Sequence, residues 1–122
     1  MDWLIKKQDS RRTFLETLHK IDDPKNIIVT CDVGFSYLDD PKYSKLKVFN
    51  FGVTETSSTI ISAALGMSGY TVWLYSMINF VTFRVHEMIR NGIVMHKANV
   101  KIIPNTLFSL IFFIGTRPIS FK

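Results

Sequence analysis

The sequence predicts an α/β fold: a three-layer, doubly wound domain built on a mainly parallel sheet. Three observations carry this. Short β-branched runs without polar alternation recur along the chain, as expected of strands buried on both faces. Segments with helical apolar spacing separate them, and turn-forming residues mark the junctions. The 122 residues, 47% apolar and 20% charged, are enough for one globular core.

Asp9 or Ser10 can cap a first helix, whose Phe14, Leu15, Leu18 and Ile21 follow helical spacing until Asp22-Asp23-Pro24 stops it. Residues 27–31 form the first strand, ended by Asp32-Val33-Gly34. A polar stretch containing Asp39, Asp40 and Pro41 leads to a second strand at 48–51. Gly52 and Thr54 open a helix over 55–67, in which Ala63, Ala64 and Gly66 allow a close neighbour; Ser68-Gly69 closes it. A third strand spans 71–75. One continuous helix is expected over 78–95, with Phe80, Val81, Val85, Met88, Ile89 and Ile93 near one face. A fourth strand covers 100–103, and Pro104-Asn105 is expected to break the chain before an apolar and basic tail at 106–122.

Several function classes fall away. The net charge of +5 is scattered, with Lys6, Lys7, Arg11 and Arg12 near the start and Lys42, Lys45 and Lys47 further on, so no nucleic-acid surface is expected. The apolar runs at 72–83 and 107–114 are too short or too polar to span a bilayer, and no signal peptide is read at 1–8. Cys31 is the single cysteine, which fits a reducing, cytoplasmic compartment. His19, His86 and His96 lack ligand spacing, so no metal site is expected in this chain.

The most informative stretch is Phe49-Asn50-Phe51-Gly52-Val53-Thr54-Glu55, in which an aromatic-rich strand ends in glycine and a glutamate opens a helix. It resembles a signature of the transketolase family. The similarity runs upstream through Ser10-Arg11-Arg12-Thr13-Phe14 and Ile28-Val29-Thr30-Cys31-Asp32-Val33-Gly34. Downstream it continues through Ala63-Ala64-Leu65-Gly66-Met67-Ser68-Gly69-Tyr70, Glu87-Met88-Ile89-Arg90-Asn91 and Asn99-Val100-Lys101-Ile102-Ile103. It is similar above all to the separate C-terminal subunits of split transketolases.

The resemblance implies a thiamine-diphosphate-binding fold, with a pyrimidine-binding domain over residues 1–103 and a divergent tail over 104–122. Glu55 would hydrogen-bond a ring nitrogen of the cofactor as the catalytic residue. Phe80 would cover the pyrimidine, Phe83 would follow one turn later, Met77 would stand where relatives often have an aromatic, and Asp32 would face the site. Each has a plainer role open to it: Glu55 as a first-turn acid favoured by the helix dipole, the phenylalanines as core, Asp32 as a turn former. Thr56 stands where relatives commonly carry glutamine or histidine.

The family's Gly-Asp-Gly diphosphate motif does not occur in the sequence. The resemblance therefore implies a partner, a transketolase N-terminal subunit or domain supplying the diphosphate and magnesium ligands, in an oligomer acting on a sugar phosphate or keto acid by two-carbon ketol transfer. The family's glycine-rich loop with its Ser-His or Thr-His pair is not seen past the fourth strand. The alternative is a truncated, non-catalytic remnant that only binds a partner.

Overall fold

A computed structural model describes residues 10–34 and 36–105. Helix α1 (Ser10–Ile21) buries Leu15 and Leu18, as the helical spacing of its apolar residues requires. It ends at Asp22, whose φ of 48° is a left-handed conformation that aspartate tolerates, with its N–H closing the last turn onto the Leu18 carbonyl at 3.1 Å.

Four strands follow: β1 (Asn26–Thr30), β2 (Lys47–Asn50), β3 (Thr71–Met77) and β4 (Val100–Asn105). They form one all-parallel sheet in the order β2-β1-β3-β4. The chain therefore steps outward from β1 to β2, returns across β1 to β3, and continues to β4. The connections leaving β1 and β3 diverge, which creates a topological switch point at the carboxyl ends of these neighbouring strands.

The two faces of the sheet are packed separately. On one, Ile28 and Tyr75 meet Leu15 and Leu18 of α1 and Tyr43 of a 3₁₀ turn (Pro41–Tyr43), with Phe14, Trp73 and Ile103 packed alongside. Phe14 lies edge-on to Trp73, with ring centroids 5.5 Å apart. On the other face, Ile27, Val29, Val72, Leu74 and Val81 form a second cluster beneath helix α2 (Glu55–Met67). Strand β1 is buried on both sides, which accounts for its unalternated apolar sequence.

Helix α2 turns an unusual stripe toward the sheet: Glu55, Ser58, Thr59, Ser62, Ala63 and Gly66 are buried, at i, i+3, i+4, i+7, i+8 and i+11. Its larger apolar residues Ile60, Ile61 and Met67 are exposed. The small stripe permits close approach. A Cβ at Gly66 would stand 2.9 Å from the backbone nitrogen of Asn99, and one at Gly92 would stand 2.9 Å from Ile60 Cδ1.

Two expectations are corrected. The continuous helix over 78–95 is instead three pieces: α3 (Ile78–Val81), α4 (His86–Met88) and a π-helical stretch (Ile89–Val94). Thr82, at φ −123° and ψ −79°, leaves the helical path, and the Arg84 N–H reaches back five residues to the Asn79 carbonyl at 3.2 Å. Val81 and Val85 are both fully buried, and the residues from 82 to 85 form turns between the helical pieces. Nor does Pro104-Asn105 end β4. Pro104 pairs with Ser76 and Asn105 with Met77, an arrangement open to proline because β4 is an edge of the described sheet. Residues 106–122, expected as a divergent tail, lie outside the described residues. Among the described residues, no helix is long and apolar enough to cross a membrane.

Candidate functional site

The carboxyl ends of β1, β2 and β3 bring most of the candidate residues to one end of the sheet. Asn50 ties two of these ends together. Its Oδ1 accepts from the backbone N–H of Asp32 and from that of Gly52, both at 2.9 Å, and its Nδ2 donates to Asp32 Oδ1 at 3.4 Å. This clip holds Asp32 in a left-handed turn, φ 57°, with the residue itself exposed. The Phe51 N–H donates to the Thr30 carbonyl at 3.1 Å, so the β1 and β2 ends stay in register beyond the strands.

Glu55 opens α2 directly after this clip. Thr54 stands at the N-cap, but its hydroxyl donates to the Phe51 carbonyl at 2.9 Å and lies 3.1 Å from Ser58 Oγ instead of capping the helix. Thr59 Oγ1 donates to the Glu55 carbonyl at 2.7 Å. These contacts fix the first turn of α2 and turn the Glu55 side chain inward, where it is 3% exposed.

A buried carboxylate needs a partner. Glu55 Oε2 lies 3.5 Å from Arg84 Nη1, and the Arg84 guanidinium carbon lies 5.5 Å from the centroid of the Phe80 ring. Glu55 and Phe80, expected from the sequence to contact one ligand, thus share one cation. Met77 ends β3 and stands half-buried at the N-cap of α3, three residues before Phe80. Phe83 is not brought into this group: it is 81% exposed on the turn.

Cys31 lies behind the site. Burial pushes its thiol up, the Ser58 hydroxyl and Thr54 backbone pull it back, and the Glu55 carboxylate pushes it up further. The net push favours the neutral thiol, in keeping with a buried cysteine that packs. Among the described residues, no three His, Cys, Asp or Glu side chains gather where a metal could be held.

Sequence reasoning missed Asn50 and Arg84. Arg84 follows Phe80 by four residues, the separation of helical neighbours, and that was the available signal. Nothing about Asn50, read within the strand, distinguishes a clip from a strand end.

The arrangement offers an acceptor carboxylate beside an aromatic face at the switch point of a parallel sheet, where ligands of such folds gather. A solved structure described as "Split gene transketolase, inactive beta4 tetramer" superimposes on the chain with a TM-score of 0.66 at 26% identity, over 78% of this chain. The chain is transketolase-like. It spans 32% of the length of that transketolase chain. No family model matches the sequence, and no curated protein matches it. The colinear resemblance seen in the sequence therefore has its counterpart in three dimensions, on a transketolase-like α/β fold.

Proposed function

We propose that the chain is the pyrimidine-binding component of a transketolase-like, thiamine-diphosphate-dependent enzyme. The observation that carries this reading is Glu55: buried, opening α2 at the carboxyl edge of the sheet, and joined through one planar cation to the face of Phe80. A carboxyl group beside an aromatic face fits the aminopyrimidine half of the cofactor, a flat ring with an amino group on its edge. The diphosphate and magnesium would be held by a separate subunit bearing the family's Gly-Asp-Gly motif, which does not occur in this sequence.

In this reading Glu55 holds a proton at a ring nitrogen, Phe80 and Met77 cover the ring, and Asp32 stands at the rim, positioned by Asn50. Phe83 would serve the surface and not the ring. When bound, the cofactor supplies carbanion chemistry at its thiazolium carbon, which a transketolase uses for ketol transfer. The substrate class is a sugar phosphate or keto acid.

The test uses the chain with a Gly-Asp-Gly-bearing transketolase N-terminal subunit. Titration calorimetry of the chain alone with thiamine diphosphate and magnesium should show no micromolar binding, and the mixture should bind. In the assembled enzyme, Glu55→Gln should keep cofactor affinity within a few fold while slowing turnover by about 10²–10⁴, the usual contribution of proton transfer by a positioned side chain. Equal turnover in wild type and mutant would remove Glu55 from the chemistry.

A second reading has its own observation. Phe49, Phe51 and Val53 are exposed at edge strand β2 and just beyond it, with Ile60, Ile61 and Met67 exposed on α2. The Phe49 and Phe51 rings stack 6.3 Å apart. The neighbouring transketolase is described as an inactive tetramer of one subunit type. A chain that only associates, without catalysis, would use this surface. Light scattering that shows a self-associating chain which never turns over with any partner subunit would favour this second reading.

A further inference from the structure

Arg84 sits at the point where the helical path breaks. Val81 and Val85 are buried on either side of it, and between them the chain turns, with the Arg84 backbone held by Asn79. From this turn the side chain returns to the site. Its Nη1 lies 3.5 Å from Glu55 Oε2, and its guanidinium carbon lies 5.5 Å from the Phe80 ring centroid. The Glu55 side chain is 3% exposed and that of Arg84 is 55% exposed, so the carboxylate is enclosed while its cation stands at the solvent boundary.

A guanidinium is flat and delocalised, with N–H groups around its edge, and it binds carboxylates by that edge and aromatic rings by its face. Those are the two surfaces that a flat, N–H-bearing heterocycle presents. We infer that Arg84 is a built-in occupant of the Glu55–Phe80 position, a latch that must swing out before such a guest can enter. Only the identity of the guest rests on the function proposed above; the latch rests on the Arg84 geometry. Release is easy because one end of the pair is largely solvated and the single contact is long. The break over 82–85 gives the side chain a turn to move with, instead of a rigid helix.

A closed latch lowers the apparent affinity of any guest by the fraction of molecules in which it is open. Arg84→Ala removes the occupant and leaves both walls. The probes are methylguanidinium, which mimics the latch, and thiamine, which carries the aminopyrimidine without the diphosphate. Binding is read by amide NMR shifts at Glu55, Thr59 and Phe80. Methylguanidinium should bind Arg84→Ala at least about tenfold more tightly than wild type, as expected if the latch is closed in nine molecules of ten. The double variant Glu55→Gln with Arg84→Ala should lose that gain, whereas Arg84→Lys, which keeps the charge without the flat face, should bind more tightly than wild type and less tightly than Arg84→Ala.

Equal methylguanidinium affinity for wild type and Arg84→Ala, or shifts confined to other residues, overturns the latch. Thiamine, offered to each protein assembled with the Gly-Asp-Gly-bearing subunit, separates the two ideas. If thiamine binds neither protein while methylguanidinium binds Arg84→Ala, the pyrimidine reading fails and the latch stands. If thiamine binds both proteins equally, the latch fails and the pyrimidine reading stands.

Discussion

On one face of the sheet, Leu15 and Leu18 of α1 meet Ile28, Trp73 and Tyr75, large side chains against large side chains. On the other, α2 buries hydroxyls, an alanine, a glycine and a carboxylate, with Leu65 packed partly buried against the cluster of Val29, Val72 and Leu74. Both helices cover the same strands with helical spacing, yet they do different work. The α1 face gains stability from area and dispersion. The α2 face gives up much of that gain, and what it obtains is proximity: a helix close enough to the sheet for Glu55 to be buried at its first turn. A site that needs an enclosed carboxylate at the strand ends is made by a thin helix contact, and the fold is held by the thick one opposite.

The largest effect is expected on the thick side. Leu18→Ala should cost about 2–5 kcal/mol in urea unfolding, the range for deleting a fully buried leucine. A loss under about 1 kcal/mol would mean that the α1 face does not carry the fold, and the comparison would collapse.

On the thin side, Gly66→Ala tests proximity itself. Its Cβ would meet the Asn99 backbone at 2.9 Å, and backbone cannot step aside as a side chain can. A loss of about 1–3 kcal/mol is expected although alanine is the better helix former. A stabilised variant would show that α2 has room to spare.

Ser62→Ala should do the reverse. Its hydroxyl is fully buried and finds no hydrogen-bond partner among the described residues. Losing it should leave stability within about 1 kcal/mol of wild type, on the stabilising side, because an unsatisfied buried hydroxyl carries a desolvation cost. A clear destabilisation would mean that this hydroxyl is satisfied and the polar stripe is cohesive.

The smallest effect is at the surface outside α1. The Lys42 ammonium donates to Glu16 Oε1 at 3.0 Å, and this hydrogen bond, with the charge of the same lysine, holds the Glu16 carboxyl below the usual carboxylate range. Because the folded-state value lies below the unfolded one, the contribution is present above the unfolded pKa and is lost as pH falls through the folded one. Lys42→Met should flatten this acid-side loss slightly and leave neutral-pH stability almost unchanged, since both groups are solvated. Acid titrations of the two proteins followed by circular dichroism check this; a large shift in the acid midpoint would show that the pair anchors the 3₁₀ turn to α1.

Much of this protein follows from local sequence. The β-branched runs at 27–31 and 71–75 are strands because such side chains suit a pleat covered on both sides. Helix α1 follows from the spacing of Phe14, Leu15 and Leu18, and Glu55 falls at the opening of α2 because Gly52 and Thr54 separate it from the strand. Other features depend on contacts between distant segments, to which periodicity is blind. The order β2-β1-β3-β4 decides that Asp32, Glu55 and Phe80 belong to one end of the sheet. The burial of Ser58, Thr59 and Ser62 ahead of Ile60 and Ile61 is set by how near the sheet lies, because close approach selects small side chains over apolar ones. The helix expected over 78–95 breaks at Thr82, and the turn that follows brings Arg84 to Glu55. Pro104 remains in a strand because its missing N–H falls at an edge of the described sheet, and strand order alone assigns the edge.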